Sequence, residues 1–280
     1  MSQYGEESSG VRQGVHAGGD QTADRRSNVG AADGDGETDF RPGKNKPPRD
    51  AVGRQDIGEI KRTINRKAME TPLEKYIETH CSLHNDALDW LERQTNIRTN
   101  YPRMLSGHTQ GAFLYMLVRM LSPRRVLEIG TFTGYSAICM ALGLPDGGHV
   151  DTLEINDELE DLITEGFAKA GVEDKVSLHI GDALEFLDAK KDGEQYDLTF
   201  IDANKREYPE YYERTLALTR SGGFILADDV LWDGKVYAEE VPSDKQTSGI
   251  VRFNELAAGD PRVETVILPV RHGLSIIRKK

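Results

Sequence analysis

The sequence predicts an α/β fold whose mostly parallel sheet is closed by an antiparallel hairpin, with helices ahead of it. Three observations predict it. Between residues 125 and 227, short apolar runs of strand character alternate with helical patterns, and such alternation means a parallel sheet covered on both faces. The last two apolar runs, Val263–Leu268 and Leu274–Arg278, are separated only by Pro269-Val270-Arg271-His272-Gly273. A parallel crossover needs about a dozen residues or more, so these two strands must pair antiparallel. Ahead of the alternation, residues 71–121 carry amphipathic helical patterns and form a pre-domain segment.

Residues 1–60 read as a disordered tail, which leaves 61–280 as the folded domain. The first fifty residues hold 9 of the 28 glycines and few aliphatic side chains. They show no period of 3.6 or 2, so they cannot bury enough apolar area to offset ordering entropy. Helical text starts at Thr71-Pro72-Leu73-Glu74, where an N-cap threonine, a first-turn proline and a glutamate form a capping box. That helix continues through Tyr76 and Ile77. A second helix carries Leu83, Ala87, Leu88, Trp90 and Leu91. A third begins near Ser106, presents Phe113–Met120 as a core face and ends before Pro123.

The alternation then runs strand Arg125–Ile129, helix Tyr135–Leu144, strand His149–Glu154 and helix Asp157–Ala170. It continues through strand Val176–Ile180, helix Ala183–Lys190, strand Tyr196–Ile201, helix Tyr208–Leu218 and strand Gly223–Ala227. A last helix near Ile250–Ala257 precedes the hairpin, giving seven strands. The polar stretch Glu239–Thr247 reads either as a mobile lip or as an ordinary surface loop.

The formal net charge is −12, and the first fifty residues, with seven basic and nine acidic side chains, account for −2 of it. A domain this acidic is a poor generic polyanion binder, because nonspecific nucleic-acid affinity rests on Lys and Arg. Cys81 and Cys139 fall in segments read as helical, and without a secretory signal a reduced compartment is expected. No apolar run approaches a membrane span, and no h-region opens the chain, so a cytoplasmic protein with no membrane partner is expected.

The first strand leads into Leu127-Glu128-Ile129-Gly130-Thr131-Phe132-Thr133-Gly134-Tyr135-Ser136. Glycine at the strand end lets a ligand approach the backbone, and the next helix aims its N-terminus at any carboxylate bound there. The spacing is G-x-x-x-G, not the G-x-G-x-x-G of dinucleotide binders. Glu154 ends the second strand, where an acidic side chain accepts from ribose hydroxyls. Gly181-Asp182-Ala183 is the next loop on that edge, with Asp182 a candidate partner for an adenine amino group.

Asp202 ends the fourth strand and Asp228-Asp229 the fifth, so three carboxylates converge at the ligand-binding edge. Uncompensated, they raise one another's pKa. An all-oxygen set suits Mg²⁺ first, with Mn²⁺ and Ca²⁺ as alternatives, and not zinc or copper. Capping of the following turns is the plainer role for such aspartates. Lys205 lies three residues past Asp202, and one helical turn brings its amine over the same site. Desolvation and a neighbouring cation should lower its pKa and suit it to take a proton. His80, His84, His108 and His179 lack metal-ligand spacing and read as packing or surface residues.

These motifs resemble the cation-dependent class I O-methyltransferases, typified by caffeoyl-CoA and catechol O-methyltransferases, with the bacterial type nearest. The resemblance runs from about Leu73 to the C-terminus and is carried by LEIGTFTGYS, IDANKREY, ADDVLWDG and LPVRHGLSIIRK. A parallel sheet closed by an antiparallel hairpin is also the Rossmann-like class I methyltransferase architecture. The resemblance implies S-adenosyl-L-methionine as cofactor and a divalent cation. It implies that Met104 and Ser106 cross the cofactor, that Glu128, Gly130 and Thr131 lie beside its methionine part, and that Ser136 faces its carboxylate. Glu154 then takes the ribose and Ala183 lies by the adenine. Asp202, Asp228 and Asp229 fall on the metal ligands, Lys205 on the proposed base and Trp232 on a substrate-side aromatic. The family usually has asparagine where this chain has Asp229, which leaves the ion open. A homodimer is also implied.

The function expected is methyl transfer to a small catechol-like or vicinal-oxygen acceptor. The alternatives are methylation of a hydroxylated tRNA uridine, which the acidic balance disfavours, and nicotinamide-dependent oxidoreduction or nucleoside binding, which the glycine spacing, hairpin and aspartates disfavour.

Overall fold

A computed structural model describes residues 72–190 and 195–280. The expected tail and the Thr71 cap lie outside the described residues. Three helices come first: α1 (Pro72–Thr79), α2 (Asp86–Arg98) and α3 (Gly107–Leu121). The alternation follows as β1 (Arg125–Ile129), α4 (Tyr135–Gly143), β2 (His149–Glu154), α5 (Glu160–Ala170), β3 (Val176–Ile180) and α6 (Ala183–Asp188). It closes with β4 (Tyr196–Ile201), α7 (Tyr208–Leu218), β5 (Thr219–Asp228), α8 (Lys245–Gly259), β6 (Val263–Leu268) and β7 (Leu274–Lys279).

The seven strands order as β3-β2-β1-β4-β5-β7-β6. The first five run parallel, while β7 is antiparallel to both β5 and β6. Chain order reverses between β1 and β4, and open α/β sheets bind ligands at such a switch point, outside the carboxyl ends of the strands.

Register then dictates which side chains meet. Ile129 pairs with Leu153 on one side and with Ile201 on the other, and Ile201 pairs with Ala227. The residues that follow, Glu154, Gly130, Asp202 and Asp228, therefore stand in one row along the sheet edge. Period-2 alternation fills the two faces below that row. Val126 and Leu226 enter one buried cluster with helices α2 to α5, while Leu127, Ile225 and Ala227 enter another with α7 and α8.

Several expectations shift. Leu83 and Cys81 precede α2, because Asn85 caps that helix by accepting from the amides of Ala87 and Leu88. Met116 and Met120 are exposed at 55% and 76%, so only part of the Phe113–Met120 set is core. Asp157–Leu159 forms a 3-10 turn ahead of α5. The fifth strand begins earlier, at Thr219, and α6 ends at Asp188. Asp244 accepts from the amides of Gln246 and Thr247 and starts α8 five residues before Ile250, so any lip after Trp232 stops at residue 243. No helix among the described residues is long and apolar enough to cross a membrane.

Candidate active site

The β1–α4 turn builds the first wall. Gly130 adopts φ +100°, and a Cβ there would sit 2.0 Å from the Asp202 carbonyl, so only glycine lets β1 and β4 end side by side. Phe132, also left-handed at φ 50°, donates its amide to Glu154 Oε2 at 2.7 Å. The Asn156 amide bonds the other oxygen of Glu154 at 2.9 Å. Burial nevertheless keeps the Glu154 pKa above the ordinary carboxylate value.

Behind this wall lies Glu128, fully buried, accepting from Thr152 Oγ1 at 2.5 Å, while Thr152 Oγ1 is also 2.5 Å from Thr131 Oγ1. Ser136, in the first turn of α4, also acts to lower the pKa of that carboxyl. Burial pushes the Glu128 pKa up to about 8 against those bonds, and its Oε1 has no partner.

The second wall is acidic. Asp202, Asp228 and Asp229 bring carboxylate oxygens within 4.8 Å of one another. Asp229 leaves β5 in the left-handed region, at φ 60°, a conformation that aspartate tolerates better than most residues. Burial, then the charges of Asp202 and Asp229, push the Asp228 pKa up to about 6, the mutual repulsion expected of an uncompensated cluster.

Lys205 opens a 3-10 turn, Lys205–Glu207, so its amine folds back over the cluster. Nζ donates to Asp202 Oδ1 at 2.8 Å and to the Tyr208 hydroxyl at 2.7 Å, and lies 3.1 Å from Asp229 Oδ2. The lowered pKa expected for Lys205 does not hold among the protein groups alone. Burial works to lower it, but Asp202, Tyr208 and Asp229 outweigh burial and hold the amine well above its usual value. Gly249 lets α8 press against this turn: a Cβ there would lie 2.3 Å from the Lys205 carbonyl.

Two cavities share this edge. One, about 680 Å³, is lined by Ser106, Thr131, Ser136, Lys205, Asp228, Asp229 and Trp232. The other, about 630 Å³, is lined by Glu154, Asp182 and Ala183. Met104, Gly130, Phe132 and Asp202 line both and so form their common boundary. The sequence-derived residues thus gather at one site, with two qualifications. Glu128 stands behind the cavity walls rather than in them. One oxygen of Asp182 is committed to capping α6, accepting from Leu184 and Glu185. His179 approaches Asp151 and lies apart from the site, as a packing residue should.

Sequence reasoning missed Tyr208, Gln110 and Arg271. Tyr208 has the motif IDANKREY to mark it, and its hydroxyl reaches both Lys205 and the Asp228 carbonyl. Gln110 donates to Asp228 Oδ2 at 2.7 Å and accepts from Arg271 at 2.6 Å, contacts that no local pattern announces.

Comparison with known proteins gives a consistent picture. A family model described as O-methyltransferase matches residues 78–280. The caffeoyl-CoA O-methyltransferase 1 of Eucalyptus globulus is 38% identical over 187 residues, covering 63% of this chain and 75% of the relative. Among solved structures, an O-methyltransferase from Bacillus cereus in complex with SAH is 34% identical with a TM-score of 0.70, covering 75% of this chain and 98% of that one. The O-methyltransferase TomG of Streptomyces achromogenes, involved in tomaymycin synthesis and solved with SAM, is 30% identical with a TM-score of 0.70, covering 76% and 99%.

Proposed function

The chain belongs to the O-methyltransferase family and is a SAM-dependent transferase, and from that premise we propose that it methylates one of two neighbouring oxygens on a small, catechol-like acceptor with help from a divalent cation. The observation that carries the proposal is the cluster of Asp202, Asp228 and Asp229, with ligand oxygens within 4.8 Å of one another, lining one cavity and sharing Asp202 with a second, carboxylate-lined one. The nicotinamide alternative falls with the family assignment.

The residues fit both groups. Three carboxylates, one of them with its pKa raised to about 6 by burial and by its neighbours, form a hard anionic set that a cation would relieve. Glu154, fixed by two backbone amides, is suited to ribose hydroxyls, and Ser136 lines the first cavity ahead of the buried Glu128 carboxyl. Ala183 and Asp182 line the second cavity, where adenine would lie, Met104 borders both cavities, and Ser106 lines the first.

Bound S-adenosylmethionine supplies an electrophilic methyl on sulfonium, and a cation supplies a charge that lowers the pKa of a coordinated hydroxyl. The chain's own residues do the rest. The Asp202 carboxylate, on the boundary of both cavities, orients the acceptor side against the donor side, and such positioning is worth several kcal/mol. Lys205 Nζ, an ammonium among the protein groups alone, would first release its proton to solvent once the charge of Asp202 and Asp229 is offset, and the free amine would then take the acceptor's hydroxyl proton. Trp232 forms part of the acceptor wall, braced by the Lys235 ammonium 5.0 Å from its ring.

The test is turnover on a catechol with labelled S-adenosylmethionine. Activity should vanish in EDTA and return with Mg²⁺ or Mn²⁺, and full activity in chelator would remove the cation from the reaction.

A further inference from the structure

Gln110 lies on the second turn of α3, in the pre-domain segment, and is 2% exposed. Its side chain spans two groups of opposite charge. Nε2 donates to Asp228 Oδ2 at 2.7 Å, and Oε1 accepts from Arg271 Nη1 at 2.6 Å. A primary amide is the side chain that offers a donor to a carboxylate and an acceptor to a guanidinium at once, so the orientation of this amide is fixed by its partners.

Arg271 reaches further. Nη1 also donates to the Ser106 carbonyl, and Nη2 donates to the Leu105 carbonyl at 3.3 Å. Both residues line the first cavity and directly follow Met104, which lines both cavities. The chain closes on itself, since Asp228 pairs with Leu274 of β7, three residues beyond Arg271. One oxygen of Asp228 is committed to Gln110, leaving Oδ1 for the cluster, and the position of residues 105–106 depends on the same amide through Arg271.

We infer that Gln110 is a positioning residue that links the cation site to the cofactor-side strap 104–106 through Arg271, so that occupation of either site tightens the other. The linkage rests on the cation and cofactor reading above. It is reciprocal by thermodynamic necessity, and couplings of this kind are typically about 5- to 150-fold in affinity.

The experiment measures the dissociation constant of S-adenosylmethionine by calorimetry with and without saturating Mn²⁺, and that of Mn²⁺ by electron paramagnetic resonance, on the full chain. Wild type should bind each ligand about 10-fold more tightly in the presence of the other. Gln110→Met should weaken Mn²⁺ about 10-fold and abolish the linkage. Arg271→Met, on the exposed turn ahead of β7, should abolish the linkage with a smaller effect on Mn²⁺, and its unfolding curve should show the chain still folded. The double variant should show no further loss of linkage. A merely structural role for Gln110 would lower the melting temperature and leave the coupling factor intact. A wild-type coupling factor in Arg271→Met, or in a folded Gln110→Met, overturns the inference. Absence of Mn²⁺ binding to wild type overturns the cation reading and this inference together, whereas binding of both ligands without linkage overturns this inference alone.

Discussion

Asp151 and Asp228 are both buried aspartates on central strands, 9% and 3% exposed, yet the fold treats them in opposite ways. Asp151, within β2, faces His179 Nε2 and the Tyr196 hydroxyl at 2.9 Å each, with Arg125 Nη2 at 3.6 Å. Burial alone would raise its pKa, but the bonds from His179 and Tyr196 outweigh burial and lower it. Asp228, at the end of β5, meets two more carboxylates, and Gln110 and Lys205 only partly offset them. A compensated buried carboxylate is structure. An uncompensated one, on the wall of a cavity, is stored repulsion that a ligand can relieve, which makes Asp228 a candidate for the site proposed above.

Breaking the uncompensated member should cost activity and spare the fold. Asp228→Asn should lower kcat on the order of 10³-fold, about 4 kcal/mol of barrier. Its melting temperature should stay level or rise, because the substitution removes repulsion while the amide oxygen can still accept from Gln110. Unfolding scans beside steady-state kinetics check both halves, and a loss of stability as large as the loss of rate would erase the contrast. Lys205→Met should lower kcat by about 10²- to 10³-fold, as expected for a lost proton acceptor, and flatten the rise of kcat with pH. A variant with normal kcat would remove the base.

The reverse holds for the compensated member. Asp151→Asn should destabilise the domain by about 1–2 kcal/mol, the cost of disturbing the hydrogen bonds from His179 and Tyr196, while kcat per folded molecule stays unchanged. Its pKa is lowered in the fold, so its contribution is present above the unfolded carboxylate range and is lost as pH falls through the folded value. Chemical denaturation at pH 7 and pH 3 measures the difference.

How far this contrast could be read in the sequence depends on contact distance along the chain. Strands β1 to β4 and β6 have the bounds that alternation and flanking turns predict, because each is a local pattern under a simple period. Asp202, Asp228 and Asp229 were legible because parallel pairing places strand ends in a row, a rule that needs no side-chain detail. The partners that set their charge state were not. Gln110 acts across 118 residues and Arg271 across 161, and the α3 text offers only a polar residue in a helix. The Lys205 pKa failed for the same reason: its spacing from Asp202 was visible, but the Tyr208 hydroxyl and the closeness of Asp229 were not.

Glu128 sharpens the comparison, because it is buried like Asp151, hydrogen-bonded like Asp151, and still raised like Asp228. Desolvation dominates there: Ser136 and Thr152 lower its pKa but do not overcome complete burial, and the result is about 8. The folded state therefore holds a proton that the unfolded chain releases near pH 4.5. Its contribution to stability is fully present below that value and is lost as pH rises through about 8. Glu128→Gln keeps the shape and removes the titration, so the variant should gain on wild type by about 1–2 kcal/mol as pH climbs from 5 to 8.5, once relaxation of the carboxylate is allowed for. Paired unfolding curves across that range measure the gain. Parallel pH curves for the two proteins would place Glu128 with Asp151, as a group the fold has already neutralised.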